Sequence, residues 1–187
     1  YVTSCASGRI SRILLADVSG HGEAVSQIAV SLRDLMRDNV NRISQKQFVM
    51  QMNRDFGQQS EDSGFATAVV ATFFEPKKSL SISVAGHPYP IYYRAAKKRW
   101  LTVDSTTSSD GIENLPLGIY EDSDYRSRRI ETETDDMFLL YSDAFIESVD
   151  QQGKQVGTQG LIELLNQGGP ADPAEVIPFL RHELRAM

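Results

Sequence analysis

Cysteine is nearly absent from this 187-residue chain. Cys5 stands alone, so no intrachain disulfide can form, which suits a reducing compartment and points to the cytoplasm. Three histidines (21, 87 and 182) and one cysteine are also too few to suggest a structural zinc site. No run of 18 apolar residues occurs, and the opening Tyr1-Val2-Thr3-Ser4 has neither the charged nor the apolar region of a signal peptide. The sequence therefore predicts no membrane span in this stretch. Positive charge is scarce: 19 Lys and Arg against 25 Asp and Glu leave a net charge of −6, with no extended basic segment, which disfavours nucleic acid as a partner. The motifs Gly-x-Ser-x-Gly, Gly-x-Gly-x-x-Gly and the P-loop are missing, and Cys5 has no Arg six residues on. Covalent catalysis by a standard nucleophile is thus not indicated.

What is present is an ordinary globular composition, 41% apolar and 24% charged, enough at this length for one domain whose core needs no disulfide or metal. The chain begins without Met and ends inside a helical pattern, so residues 1–187 are expected to be a single domain trimmed at both ends. Residues 9–16 alternate and then turn apolar, which predicts a strand running from edge to interior. It stops at Asp17-Val18-Ser19-Gly20-His21-Gly22, a glycine-containing turn. From Ala24 to Val40 apolar residues recur at helical spacing, and a second helix is expected after Ser44, with Phe48, Val49, Met52 and Phe56 on one face. Residues 65–101 then read as a meander of short antiparallel strands, with turns at Pro76-Lys77-Lys78-Ser79 and Lys97-Lys98 and a break at Gly86-His87-Pro88. Residues 102–114 are polar and read as a loop. The stretches 125–130 and 137–141 are expected to pair with each other across Asp135-Asp136, and two helical patterns, 158–166 and 173–186, close the chain. The pattern is that of an α+β domain with antiparallel sheet.

Two acids stand out for chemistry. Asp17 ends a buried-looking strand and precedes a turn into a helix; it can be read as a helix cap or as a ligand. Asp143 likewise ends an apolar strand, Met-Phe-Leu-Leu-Tyr. Two carboxylates converging from strand ends need a cation to stay ionised together, and oxygen donors suit Mg²⁺ or Mn²⁺. Two such ions can activate a water for attack on a phosphate ester, which fits the missing protein nucleophile.

Five segments occur in an order that resembles a known family: Leu15-Ala-Asp-Val-Ser-Gly-His-Gly22, Phe65-Ala-Thr-Ala68, Ala85-Gly-His-Pro-Tyr-Pro90, Leu115-Pro-Leu-Gly118 and Leu139-Leu-Tyr-Ser-Asp-Ala-Phe-Ile-Glu147. Together they are similar to the metal-dependent serine/threonine phosphatases of the type 2C superfamily, in the bacterial branch named for stage II sporulation protein E. The resemblance implies an α-β-β-α sandwich, two antiparallel sheets flanked by helices. It implies hydrolysis of phosphoserine or phosphothreonine by a water activated between two Mn²⁺ or Mg²⁺ ions. Asp17 would bridge the ions, the Val18 carbonyl would bind one and Asp143 the other, while Gly20, His21 and Gly22 would form the turn beside the site.

His21 is then a hydrogen-bonded turn residue or a general acid/base. His87 reads as a structural turn residue, and Thr67 as a packing or hydrogen-bonding neighbour of the site. Glu147 suits a supporting or capping role rather than direct ligation, and His182 suits the surface. Related domains act on phosphorylated proteins such as anti-sigma-factor antagonists in partner-switching pathways, under the control of attached sensor domains.

The sequence also departs from the family pattern. The family's Gly-Gly-Asp and Asp-Asp-x-Thr segments would fall before Tyr1 and after Met187. Its Thr-Asp-Gly is Ser142-Asp143-Ala144 here, and if that glycine position required a left-handed backbone, Ala144 would cost on the order of 1 to 2 kcal/mol. Such a cost would favour the competing reading, a non-catalytic phosphatase-like module that binds a phosphoprotein or a regulatory partner.

Overall fold

A computed structural model describes residues 1–19, 23–59, 64–103, 114–149 and 151–187. The Gly20-His21-Gly22 turn and most of the expected loop at 102–114 lie outside the described residues. Chain contacts divide the protein into two compact units. The first holds Tyr1–His87 and the stretch 114–132; the second holds 88–103 and Glu133–Met187.

In the first unit, β1 (Val2–Ser4), β2 (Ile10–Val18), β3 (Ala66–Phe74), β4 (Ser79–Ala85) and β7 (Arg128–Glu131) form one antiparallel sheet in the order β1-β2-β3-β4-β7. Helices α1 (Glu23–Asp38) and α2 (Gln45–Gln59) pack on one of its faces. Alternation on β2 decides which side chains meet them. Leu14, Ala16 and Val18 join Ala66, Ala68 and Val70 of β3 in a core with Leu32, Leu35 and Met36 of α1 and Phe48, Met52 and Phe56 of α2. Ile13, Leu15 and Asp17 occupy the other face. Helix α2 begins as expected, with the Ser44 hydroxyl accepting from the Gln47 N–H at 3.4 Å.

Arg12 is fully buried on the helix side of β2. Its guanidinium lies 4.3 Å from the Phe48 ring centre, donates to Thr72 Oγ1 at 3.2 Å, and reaches the Val40 and Arg42 carbonyls between the helices. Burial lowers its pKa to about 10.

The second unit has a three-stranded antiparallel sheet, β6-β5-β8, from β5 (Ile91–Arg94), β6 (Arg99–Thr102) and β8 (Met137–Leu139). Helices α3 (Gly157–Gly168) and α4 (Pro173–Ala186) complete it, with Leu161, Leu165, Val176 and Leu180 packed against Ile91, Tyr93 and Trp100. Asn166 of α3 clasps β6, accepting from the Trp100 N–H at 2.9 Å and donating to its carbonyl at 3.0 Å. The protein is therefore α+β with two antiparallel sheets, each carrying its own pair of helices.

Two local expectations are corrected. The stretches 125–130 and 137–141 do not pair with each other: β7 joins β4, and β8 joins β5. Side chains at the turn explain the split. Thr132 binds the Lys78 carbonyl through both its N–H and its hydroxyl, at 2.8 Å each, which ties the end of β7 to the start of β4. The Asp136 carboxylate is held by Arg94 at 3.0 Å and the Ala95 N–H at 2.9 Å, which delivers β8 to β5. Strand β1, not anticipated, pairs with β2 through Ser4↔Ser11 to Val2↔Ile13.

Candidate functional site

Asp17 is the penultimate residue of β2, on the face away from the helices, and its side chain is exposed. It stands directly opposite Thr67 of β3. Thr67 Oγ1 is 2.8 Å from Nδ1 of His87, which is buried at 6% exposure. This contact ties β3, the strand that pairs with β2 at Asp17, to the segment that follows β4.

The Val18 carbonyl can be placed from the pairing. Its partner Ala66 exchanges both backbone hydrogen bonds with Leu117 (3.1 and 2.8 Å), on the side of β3 away from β2. In an antiparallel ladder the Val18 backbone groups then point away from β3 as well, toward the β1 side. On that side Tyr1 pairs with Leu14, the Leu14 N–H donating to the Tyr1 carbonyl at 2.8 Å and the Tyr1 amine to the Leu14 carbonyl at 2.8 Å. The Val18 carbonyl, next to the Asp17 carboxylate in sequence, is thus not engaged by β3.

The end of β2 is firmly fixed. Ser19 N–H and hydroxyl both donate to the Phe65 carbonyl, at 3.1 and 2.9 Å. Gly86, at φ +62°, bridges Ala68 and donates its N–H to the Asn114 carbonyl at 2.7 Å; a Cβ there would meet Pro116 Cγ at 2.5 Å, so only glycine fits. Gly118, at φ +87°, donates to Asn53 Oδ1 at 2.9 Å, and the Asn53 amide donates to the carbonyls of Tyr120 and Glu121, both at 2.9 Å. Four of the five sequence segments, around 15–18, 65–68, 85–87 and 115–118, thus meet at one end of the first sheet.

Asp143 belongs to the second unit. After β8 the chain stays extended at Ser142 (φ −80°, ψ 167°) and then enters a short 3₁₀ turn, Asp143–Phe145. The Asp143 carbonyl accepts from the N–H groups of Ile146 (2.8 Å) and Glu147 (2.9 Å). The Asp143 and Glu147 side chains are both exposed; what Glu147 gives Asp143 here is its backbone N–H. Two residues upstream the buried Tyr141 anchors the segment, donating from its hydroxyl to the Tyr89 carbonyl at 2.9 Å. Burial raises the Tyr141 pKa. The left-handed geometry considered for Ala144 is not found. Ala144 lies inside the 3₁₀ turn and is absent from the positive-φ residues, so replacing the family's glycine carries no backbone strain.

Among the described residues no side chain is hydrogen-bonded to or ion-paired with the Asp17 or Asp143 carboxylate, and no three His, Cys, Asp or Glu side chains cluster. The described donor set is two exposed carboxylates, one in each unit, and a Val18 carbonyl that β3 does not engage. Hard oxygen donors of this kind fit Mg²⁺ or Mn²⁺. Sequence reasoning missed Asn53 and Tyr141. Asn53 had a signal: it is a polar residue four after Val49 and three before Phe56, on the apolar stripe of α2, and it is fully buried. Tyr141 reads from sequence as one more apolar strand residue.

Comparison with known proteins follows the same lines. The family model for stage II sporulation protein E (SpoIIE) matches residues 7–187. The phosphoserine phosphatase RsbU of Bacillus subtilis is 28% identical over 155 residues, covering 81% of this chain and 44% of RsbU. The chain thus spans less than half the length of that curated relative. Among solved structures, the RsbU and RsbW domains of Rv1364c from Mycobacterium tuberculosis superpose with a TM-score of 0.75 at 23% identity, covering the whole of this chain and 50% of the other. The PP2C phosphatase domain of SpoIIE from Bacillus subtilis gives a TM-score of 0.74 at 15% identity, covering the whole of this chain and 52% of the other. At these identities the structural likeness shows the fold.

Proposed function

The chain belongs to the stage II sporulation protein E family, and from that premise we propose that it is the catalytic domain of a metal-dependent protein serine/threonine phosphatase. The observation that carries this reading is the end of β2, where an exposed Asp17 carboxylate, without a hydrogen-bond or ion-pair partner among the described residues, stands beside a Val18 carbonyl that points away from β3. Asp17 and the Val18 carbonyl would hold two Mn²⁺ or Mg²⁺ ions together with Asp143, the Gly20-His21-Gly22 turn lying next to them. Bound there, the ions would supply an activated water and offset the charge of the phosphate ester. The chain's own part is to hold Asp17 through the β2–β3 register, to keep the Thr67–His87 contact behind it, and to present Asp143 from its turn.

The substrate would be a phosphorylated protein, on the family's pattern an anti-sigma-factor antagonist in a cytoplasmic partner-switching pathway, with activity governed by an attached sensor domain. The non-catalytic alternative leaned on Ala144, and Ala144 is unstrained. The test is hydrolysis of a phosphoserine protein by the full-length protein with Mn²⁺. Chelation should abolish it, and Asp17→Asn and Asp143→Asn should each lower kcat/KM about a hundredfold or more, since each removes charge that holds the ions. Activity that survives chelation or both substitutions would refute the two-metal reading.

A further inference from the structure

Helix α4 carries two arginines one turn apart, Arg181 and Arg185, which line an open cleft of about 300 Å³ with Leu184 and with Ala144, Phe145 and Ser148 of the Asp143 turn. Three observations give this cleft a chemistry. Its floor is apolar, from Phe145, Leu184 and the Ala144 methyl. The Ser148 hydroxyl is engaged with the Ala144 carbonyl at 2.9 Å. Among the described residues neither arginine has an ion-pair partner, whereas His182 between them contacts Glu183 at 3.2 Å. In a chain of net charge −6, two unpaired guanidiniums on one helix face form a cationic rim over an apolar floor.

Resting on the phosphatase reading, we infer that this cleft is a specificity site that takes a carboxylate side chain flanking the phosphorylated residue of the substrate protein. Guanidinium forks match carboxylates, and the aliphatic stem of Glu or Asp suits the floor. The phosphate itself belongs at the ions. The cleft begins at Ala144, the residue after Asp143, and neighbouring residues of an extended peptide lie only about 3.5 Å apart along the chain.

The experiment uses the full-length protein and two phosphoserine peptides that differ only in Glu or Gln beside the phosphoserine. The wild type should show a KM about tenfold lower for the Glu peptide, a preference that weakens with salt. The double variant Arg181→Gln/Arg185→Gln should lose that difference through KM, with kcat changed less than about twofold. Both arginines are exposed, so folding is not at stake. Equal KM values in the wild type, or a preference that persists in the double variant, would overturn the inference. If the wild type turns over neither peptide, the phosphatase reading fails on its own. Fluorescence anisotropy with the two labelled peptides then still decides the cleft: tighter binding of the Glu peptide, lost in the double variant, supports it, and equal binding overturns it.

Discussion

In the first unit Asp17 lies on a strand paired with β3 along all nine residues, from Ile10↔Phe74 to Val18↔Ala66, and bordered by fixed glycines and a buried asparagine. In the second unit Asp143 stands on a three-residue turn held by local hydrogen bonds, from Ile146 and Glu147 to its own carbonyl, from Phe145 to Ser142 and from Ser148 to Ala144, and by a tyrosine anchor upstream. A carboxylate in a long register cannot shift without breaking many pairs at once, whereas one on a short turn can move with few. If the two acids hold cations as proposed, the first would fix an ion's position and the second would adjust to it.

Substitutions can break this contrast, the largest effect coming first. Gly86→Ala should destabilise the first unit by about 3 kcal/mol, because it forces a left-handed Ala and drives its Cβ into Pro116. Chemical denaturation would measure this, and a change below about 1 kcal/mol would mean that the Gly86–Pro116 contact is loose. Asn53→Ala removes three hydrogen bonds from a buried side chain to the 118–121 backbone, at a cost of about 2 kcal/mol. Hydrogen exchange should then quicken at Gly118 and Leu117 while the Asp143 turn is unchanged; equal quickening in both units would erase the distinction. Tyr141→Phe should cost only about 1 kcal/mol and leave the first unit's protection intact. Ala144→Gly should give no gain in stability or metal affinity and a loss of less than about 1 kcal/mol, since its backbone is already right-handed.

The same contrast explains what could be read from sequence. β2, β3, the two helices after the turn and both Lys-containing hairpins announce themselves by period and by turn chemistry, which are local. The partners of β7 and β8 do not, because Thr132 and Asp136 choose them through contacts with Lys78 and Arg94, distant in sequence. Arg12 looks like an ordinary strand-edge residue until Phe48, Thr72 and the Val40 carbonyl surround it. Asp17 was legible as a strand-end acid; Asp143 lies beyond the end of β8, at the start of its own 3₁₀ turn. The orientation of the Val18 carbonyl was not legible, since it depends on Ala66 bonding to Leu117 rather than to β2.

These two exposed carboxylates are proposed to hold divalent cations, with Asp17 the fixed member. Mn²⁺ titration of the full-length protein, followed by the loss of the free-ion electron paramagnetic resonance signal, tests this directly. Binding should be saturable, eliminated by Asp17→Asn and weakened by Asp143→Asn, with Mg²⁺ competing for the same sites. Binding by Asp17→Asn indistinguishable from the wild type would contradict the proposal.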